Sequence, residues 1–195
     1  MSHAYLDDAR FWRLLYDIDC DQAEEVRAGG CPHCGGVLHS ARYPRKPRGT
    51  QRSLLGEMYG RRESLCCSRE GCRRRRTPGS VRFLGRRVYL GAWVVLVSAL
   101  SEALPAAGRA RAAARFGVGE HTLRRWRRWW RVVFPSTALW RSSRGGFVPP
   151  VSNSGLPGAL ASRFGSLEAQ KTMVAVLCFV RPVSLVEAGG EVHAH

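Results

Sequence analysis

"CPHCGG" at residues 31–36 and "CCSREGC" at residues 66–72 decide how this chain reads. A Cys-x2-Cys pair followed by glycine makes a tight turn that aims two thiolates at one point. A second pair on a facing turn completes a tetrahedral thiolate site, which suits Zn²⁺. Cys31 and Cys34 supply the first pair. For the second, Cys67 to Cys72 is the shorter closure and Cys66 to Cys72 the longer. Adjacent strand residues point to opposite faces, so one of Cys66 and Cys67 binds. Cys67 is favoured because it shortens the loop, with Cys66 as the alternative. The flanks "VLHSARY" (37–43) and "RRESL" (61–65) read as β-like. Two hairpin-borne knuckles around one structural zinc ion, a zinc ribbon, are therefore expected.

The surroundings favour a metal. Residues 31–87 hold four Pro and five Cys among many Gly and Arg, with too few apolar residues for a conventional core. A bound ion can take the place of that core. The bland alternative is free cysteines packed as small hydrophobes, but four thiols at knuckle spacing argue against it. His33 is not expected to bind the metal, and His39 is a weaker alternative ligand. Cys20 and Cys178 lie far off and read as packing residues. "CPHC" also occurs at the reactive site of thioredoxin-like oxidases, where a helix follows the first thiol. Here Gly35-Gly36 follows, and no strand–helix–strand pattern surrounds the pair.

The chain has 195 residues, enough for one ordinary domain or a few small modules. Lys+Arg is 31 against 15 Asp+Glu, a net charge of +16. That balance points to a polyanionic partner and away from an enzyme acting on neutral metabolites. Residues 1–30 are acidic, net −4, and residues 135–195 carry only +2. Residues 31–134 carry +18, so the partner-facing surface is expected there. The acidic start "MSHAYLDDARFW" has no secretory pattern. The longest apolar stretch, Val88–Leu100, is shorter than the roughly 20 residues that span a bilayer. A cytoplasmic, nucleoid-associated protein with no membrane partner is expected.

Residues 4–19 read as an amphipathic helix with Leu6, Phe11, Leu14, Leu15 and Ile18 on its apolar face. Residues 88–104 read as a buried helix, with strand as the alternative. Residues 109–116 and 120–134 read as two further helices, the second stopped by Pro135. Residues 142–158 read as a linker, and 159–180 as one or two short helices. The resulting division is an acidic N-terminal helix (1–30), a zinc ribbon with basic arms (31–87), a three-helix helix-turn-helix unit (88–134), and a linker with short helices (135–195). The fold class is mainly α with a small β ribbon.

"AAARFGVGEHTLRRWRRWWRVV" (112–133) carries the helix-turn-helix grammar. Alanines let two helices approach closely, Gly117 supplies the turn, and Val118 fills the space beneath it. At about 100° per residue, Leu123, Trp126, Trp130, Val133 and Phe134 share one face, widened by Trp129. Arg124, Arg125, Arg127, Arg128 and Arg131 share the other. Like charges at i,i+4 weaken a helix, so their retention suggests a compensating partner. In a helix-turn-helix the second helix enters the major groove. His121, Arg124, Arg125 and Arg128 would then meet base edges, while Arg127 and Arg131 suit phosphates. Two further runs, "RYPRKPR" (42–48, with Arg45, Lys46 and Arg48) and Arg73, Arg74, Arg75 and Arg76, are placed against phosphates.

A zinc ribbon followed by a helix-turn-helix resembles the N-terminal DNA-binding part of bacterial insertion-sequence transposases and their small accessory proteins. "CPHCGG", "CCSREGCRRR" and "ARFGVGEHTLRRWRRWW" carry the resemblance over roughly residues 31–134. It implies recognition of double-stranded DNA in mobile elements, with a transposase or a second copy of the chain as protein partner. A transposase with a ribonuclease-H-like core needs three acids to hold two metal ions. No Asp follows Asp21 here, and only Glu168, Glu187 and Glu191 follow Phe134. No tyrosine follows Tyr89. The expectation is a non-catalytic accessory protein or a truncated transposase. The competing readings are a transcriptional regulator unrelated to mobile elements and an RNA-binding zinc-ribbon protein.

Overall fold

The computed structural model describes residues 4–48, 55–84, 89–102, 104–115, 117–165 and 168–188. It is mostly helical, with a small antiparallel sheet. A single turn at Ala4–Asp7 leads into α1 (Ala9–Ala28), longer than the 4–19 reading. Asp8 caps α1 by accepting the Arg10 N–H at 2.8 Å, a favourable N-terminal device. Phe11, Leu15, Asp19 and Ala23, four residues apart, form its buried row. Trp12 is buried beside them and donates its indole N–H to the Leu6 carbonyl at 2.8 Å. Leu14, placed on the apolar face by periodicity, is instead 41% exposed. Gly29 ends the helix, donating to the Glu25 carbonyl.

Among the described residues, the cysteine-bearing segment holds two small antiparallel sheets. In the first, β1 (Leu38–Ser40), β4 (Leu65–Cys67) and β5 (Arg75–Arg76) lie in the order β1-β4-β5, all antiparallel. Leu38 faces Cys67 and Leu65 faces Arg76. In the second, β2 (Tyr43–Pro44) pairs with β3 (Arg61–Arg62), and the short α2 (Gly56–Tyr59) precedes β3. The first sheet has a separate miniature core of Cys31, Leu38, Leu65 and Cys67, with Val26 of α1 packed against it. The segment 31–87 is not uniformly coreless, however. Tyr59, Val81, Phe83 and Leu84 belong to the main core.

Residues 91–136 build the helical body. α3 (Gly91–Glu102) is helix, not strand, with Val94, Val95, Leu96 and Val97 all buried. A helix apolar on all sides is a buried one. Gly91 is required at its start, because a Cβ there would lie 2.9 Å from the Val81 carbonyl. α4 (Ala106–Arg115) and α5 (Glu120–Arg128) pack against α3 and against each other. Gly117, between them, has φ +62.

The helical run that begins at α5 ends at Ser136, one residue past Pro135. A π-helical turn, Trp129–Val133, follows α5 and leads into α6 (Phe134–Ser136). The Phe134 N–H reaches back to the Trp129 carbonyl, five residues away. This wider turn lets the chain pass through a proline that would break a regular helix. It also rotates the following residues. Phe134 stays buried at 0%, but Val133, placed on the apolar face by the wheel, is 37% exposed.

Residues 142–158 are no free linker. After α7 (Ala138–Ser143), Leu156 is fully buried and the Trp140 indole donates to the Asn153 side-chain oxygen at 2.8 Å. α8 (Gly158–Ala161) and α9 (Ala169–Val180) complete the same core through Leu160, Val176, Leu177 and Val180. Among the described residues, no helix is long and apolar enough to cross a membrane.

Candidate metal centre and basic faces

The first knuckle closes on itself. The Cys31 carbonyl accepts the N–H groups of Cys34 and Gly35, and the Cys31 N–H returns to the Gly36 carbonyl at 2.9 Å. Gly35 holds φ +68, a left-handed conformation that disfavours other residues. The second knuckle repeats the logic. The Arg69 carbonyl accepts the N–H groups of Cys72 and Arg73, and the Cys67 N–H pairs with the Arg74 carbonyl at 2.9 Å. The Ser68 N–H bonds the Val37 carbonyl, which fastens one knuckle to the other.

Four thiols converge as a result. The sulfurs of Cys31, Cys34, Cys67 and Cys72 all lie within 4.8 Å of one another. Cys31 and Cys72 are 3.8 Å apart, and Cys34 and Cys67 3.4 Å. Around an ion with metal–sulfur bonds of about 2.3 Å, the edges of a regular tetrahedron measure about 3.8 Å. The four cysteines thus fit a single metal ion. Cys66 points away from them, and its thiol lies 3.4 Å from the Arg73 carbonyl. His33 and His39 are both exposed and outside the cluster.

The protonation of the cluster is uneven. The His33 backbone N–H does most to draw the Cys31 thiol down to about 7, helped by the Cys34 N–H and the neighbouring thiols against burial. The Arg69 N–H favours a thiolate at Cys67 as well, but burial and the sulfurs of Cys34, Cys72 and Cys31 outweigh it and push it up to about 12. Four sulfurs this close cannot all be anionic without a cation among them. A metal ion held there would supply that cation and displace the protons.

Gly36 bears directly on this geometry. A Cβ there would lie 3.1 Å from the Cys67 sulfur and 3.3 Å from the Cys34 sulfur. Gly36→Ala is expected to speed metal loss to a chelator about tenfold, the scale seen when groups supporting metal ligands are altered. Helical content should not change. Metal release followed with a chromogenic chelator checks this, and an unchanged rate would contradict the packing described.

The basic residues placed against DNA by the sequence fall into three groups. On α5, His121, Arg124, Arg125 and Arg128 are exposed, as is Arg131 in the following turn, and Arg127 is half-buried. Leu123, Trp126, Trp129 and Trp130 are buried on the opposite side. The Arg124–Glu120 pair at 3.2 Å is solvent-exposed, and such pairs contribute little. Arg73, Arg74, Arg75 and Arg76 are all exposed beside the second knuckle. Arg73 has φ +44, a conformation non-glycine residues seldom adopt. Arg74 reaches across to His33 Nδ1 at 3.0 Å.

The third group, 42–48, is narrower than its sequence suggests. Lys46 and Arg48 are exposed. Arg45 is half-buried, with its guanidinium 5.7 Å above the Phe83 ring. Arg42 is paired with buried Glu63 at 2.7 Å. Arg62 and Arg82 leave the surface altogether, and burial lowers the pKa of Arg62.

Sequence reasoning missed the network around Arg82. Its guanidinium is fully buried and paired with fully buried Asp19 at 2.7 Å, 63 residues away. Nothing local marks either residue as special. The only hint is that Asp19 falls in the i,i+4 row of apolar residues on α1.

No protein-family model, curated protein or solved structure matches this chain.

Proposed function

We propose that this chain is a zinc-dependent, non-catalytic double-stranded DNA-binding protein, transposase-like or accessory to a mobile element. In this reading the four-cysteine centre is a zinc ribbon, and α3, α4 and α5 form a helix-turn-helix. Four thiolates with no open position are the donor set of a structural zinc site. That no Asp follows Asp21 supports the non-catalytic part of the reading, since metal-assisted cleavage relies on clustered acids.

One observation carries the reading. α5 buries its apolar residues and presents His121, Arg124, Arg125 and Arg128 to solvent on one short helix behind a glycine turn. A helix of that kind fits a major groove, where arginine binds guanine O6 and N7 together. Arg73–Arg76, Lys46 and Arg48 supply phosphate contacts in this account, with Arg45 held back toward Phe83.

Two variants separate the roles. Arg125→Ala should cost about 1–3 kcal/mol on the preferred duplex and less on random DNA. Arg74→Gln should weaken every duplex alike and reduce the log–log salt slope by about one. Duplex titrations across a salt series measure both, and equal losses on all sequences from both variants would remove α5 from base reading. A transposase gene or terminal inverted repeats beside the gene would support the mobile-element role. Their absence would favour a transcriptional regulator.

A further inference from the structure

Arg82 and Asp19 are both fully excluded from solvent. Removing two charges from water costs more than their attraction generally returns, so such a pair is poor evidence for stability and better evidence for fixing one arrangement. What this pair fixes can be traced bond by bond. Arg82 Nε donates to Asp19 Oδ2 at 2.7 Å, Nη1 to the Tyr59 carbonyl at 2.6 Å, and Nη2 to the Arg61 carbonyl at 3.1 Å. Asp19 also accepts from the Ser80 hydroxyl and from the Val81 N–H at 2.8 Å. The guanidinium lies between aromatic rings, 4.9 Å from Tyr16, 5.0 Å from Tyr59 and 5.2 Å from Phe83.

The pair joins α1 to the segment that carries Tyr59 and Arg61. Asp19 is on α1. Arg61 is in β3, which pairs with β2, the strand from which the 45–48 strip runs. The Arg45 N–H bonds the Gly60 carbonyl at 2.6 Å, and the Arg45 guanidinium shares the Phe83 ring with Arg82. The Arg82 carbonyl accepts the Gly91 N–H at 2.7 Å, at the start of α3. A second link runs beside the first. The Arg48 carbonyl accepts the Leu90 N–H at 3.1 Å, and Arg48 bridges to Tyr89. Tyr89 then packs edge-on against Trp126 of α5, with ring centroids 5.0 Å apart.

We infer that Asp19 and Arg82 are positioning residues that hold the 45–48 strip and the arginine face of α5 in one fixed relation. The duplex is then read as one site of fixed internal spacing. This inference rests on the DNA-binding reading above. Two surfaces on a stiff connection gain from simultaneous contact only when the spacing matches, and lose about a hundredfold or more when geometry forbids it.

The test uses the full-length, metal-loaded chain and the duplex it most enriches from a random pool. Base pairs are then inserted between the stretches protected by α5 and by the strip. Wild type should lose about a hundredfold in affinity on insertion. The double variant Asp19→Asn/Arg82→Met, which removes both charges while keeping volume, should bind the parent duplex more weakly and lose less than about threefold on insertion. Hydrogen exchange should show lost protection at the Leu90 and Gly91 amides, with the Cys67 and Ser68 amides unchanged. Should the double variant not fold, Ser80→Ala, which removes the hydroxyl that donates to Asp19 and accepts the Arg82 and Phe83 N–H groups at 3.1 Å, should show the same changes in smaller measure. A full insertion penalty in a folded variant, or protected Leu90 and Gly91 amides, overturns the positioning role and leaves DNA binding intact. Failure of wild type to enrich any duplex overturns the DNA reading itself and the inference with it.

Discussion

Cys67→Ser is expected to release the metal and unfold the first sheet, leaving α3, α4 and α5 helical. The reason lies in the size of the miniature core. Leu38 and Leu65 are its only buried aliphatic residues among those described, and Cys31 and Cys67 complete it. Such a core cannot offset the ordering of two knuckles and three short strands. A structural tetrathiolate site contributes about 10–16 kcal/mol in small zinc modules, and that binding energy is folding energy. Serine replaces one of the four converging thiols, the one 3.4 Å from the Cys34 sulfur. Metal content should fall from one ion per chain to none, and the amides of 65–67 should lose protection. Cys66→Ser is the matched control and should keep the ion, because Cys66 faces the Arg73 carbonyl. The opposite outcome for the two serines would exchange their roles.

Trp126→Ala should destabilise the helical body by about 3–5 kcal/mol, the usual cost of emptying a buried tryptophan site. Trp126 is 2% exposed and packs against the Tyr89 ring. The four-cysteine cluster has its own core, so metal retention should not change. Arg125→Ala, on the opposite face of the same helix, should stay within about 0.5 kcal/mol of wild type in stability, as surface substitutions do. Urea unfolding of the two variants checks the contrast. A Trp126→Ala cost below about 1 kcal/mol would mean that α5 does not turn its aromatic face inward.

The four-cysteine cluster was legible because its information is local. Knuckle spacing named Cys31, Cys34 and Cys72, and strand alternation narrowed the last ligand to one of two neighbours. Pairing with β5 then turns Cys67 inward, its N–H bonded to the Arg74 carbonyl. The aromatic and basic faces of α5 were equally legible, because one period governs them as far as Arg128. Beyond that residue the π-helical turn changes the period, which is why Val133 was misplaced and Pro135 did not end the helix. Composition misled at 142–158, where glycine, proline and serine suggested a linker, yet Leu156 anchors the segment in the core. The Asp19–Arg82 pair was invisible for a different reason. Charge counts treat every arginine as surface, and only tertiary contact reveals which ones are buried.

α5 is proposed to read duplex DNA. Its most direct test is a competition titration. Metal-loaded protein is bound to a labelled duplex selected from a random pool and challenged with unlabelled duplex or single-stranded RNA. The triple variant Arg124→Gln/Arg125→Gln/Arg128→Gln is titrated beside it. The account predicts that RNA displaces the duplex only at much higher concentration than unlabelled duplex does. It also predicts that the triple variant loses its preference for the selected sequence while keeping its fold and its metal. RNA competing better than any duplex, with the triple variant binding like wild type, would contradict the account and make the chain an RNA-binding zinc-ribbon protein.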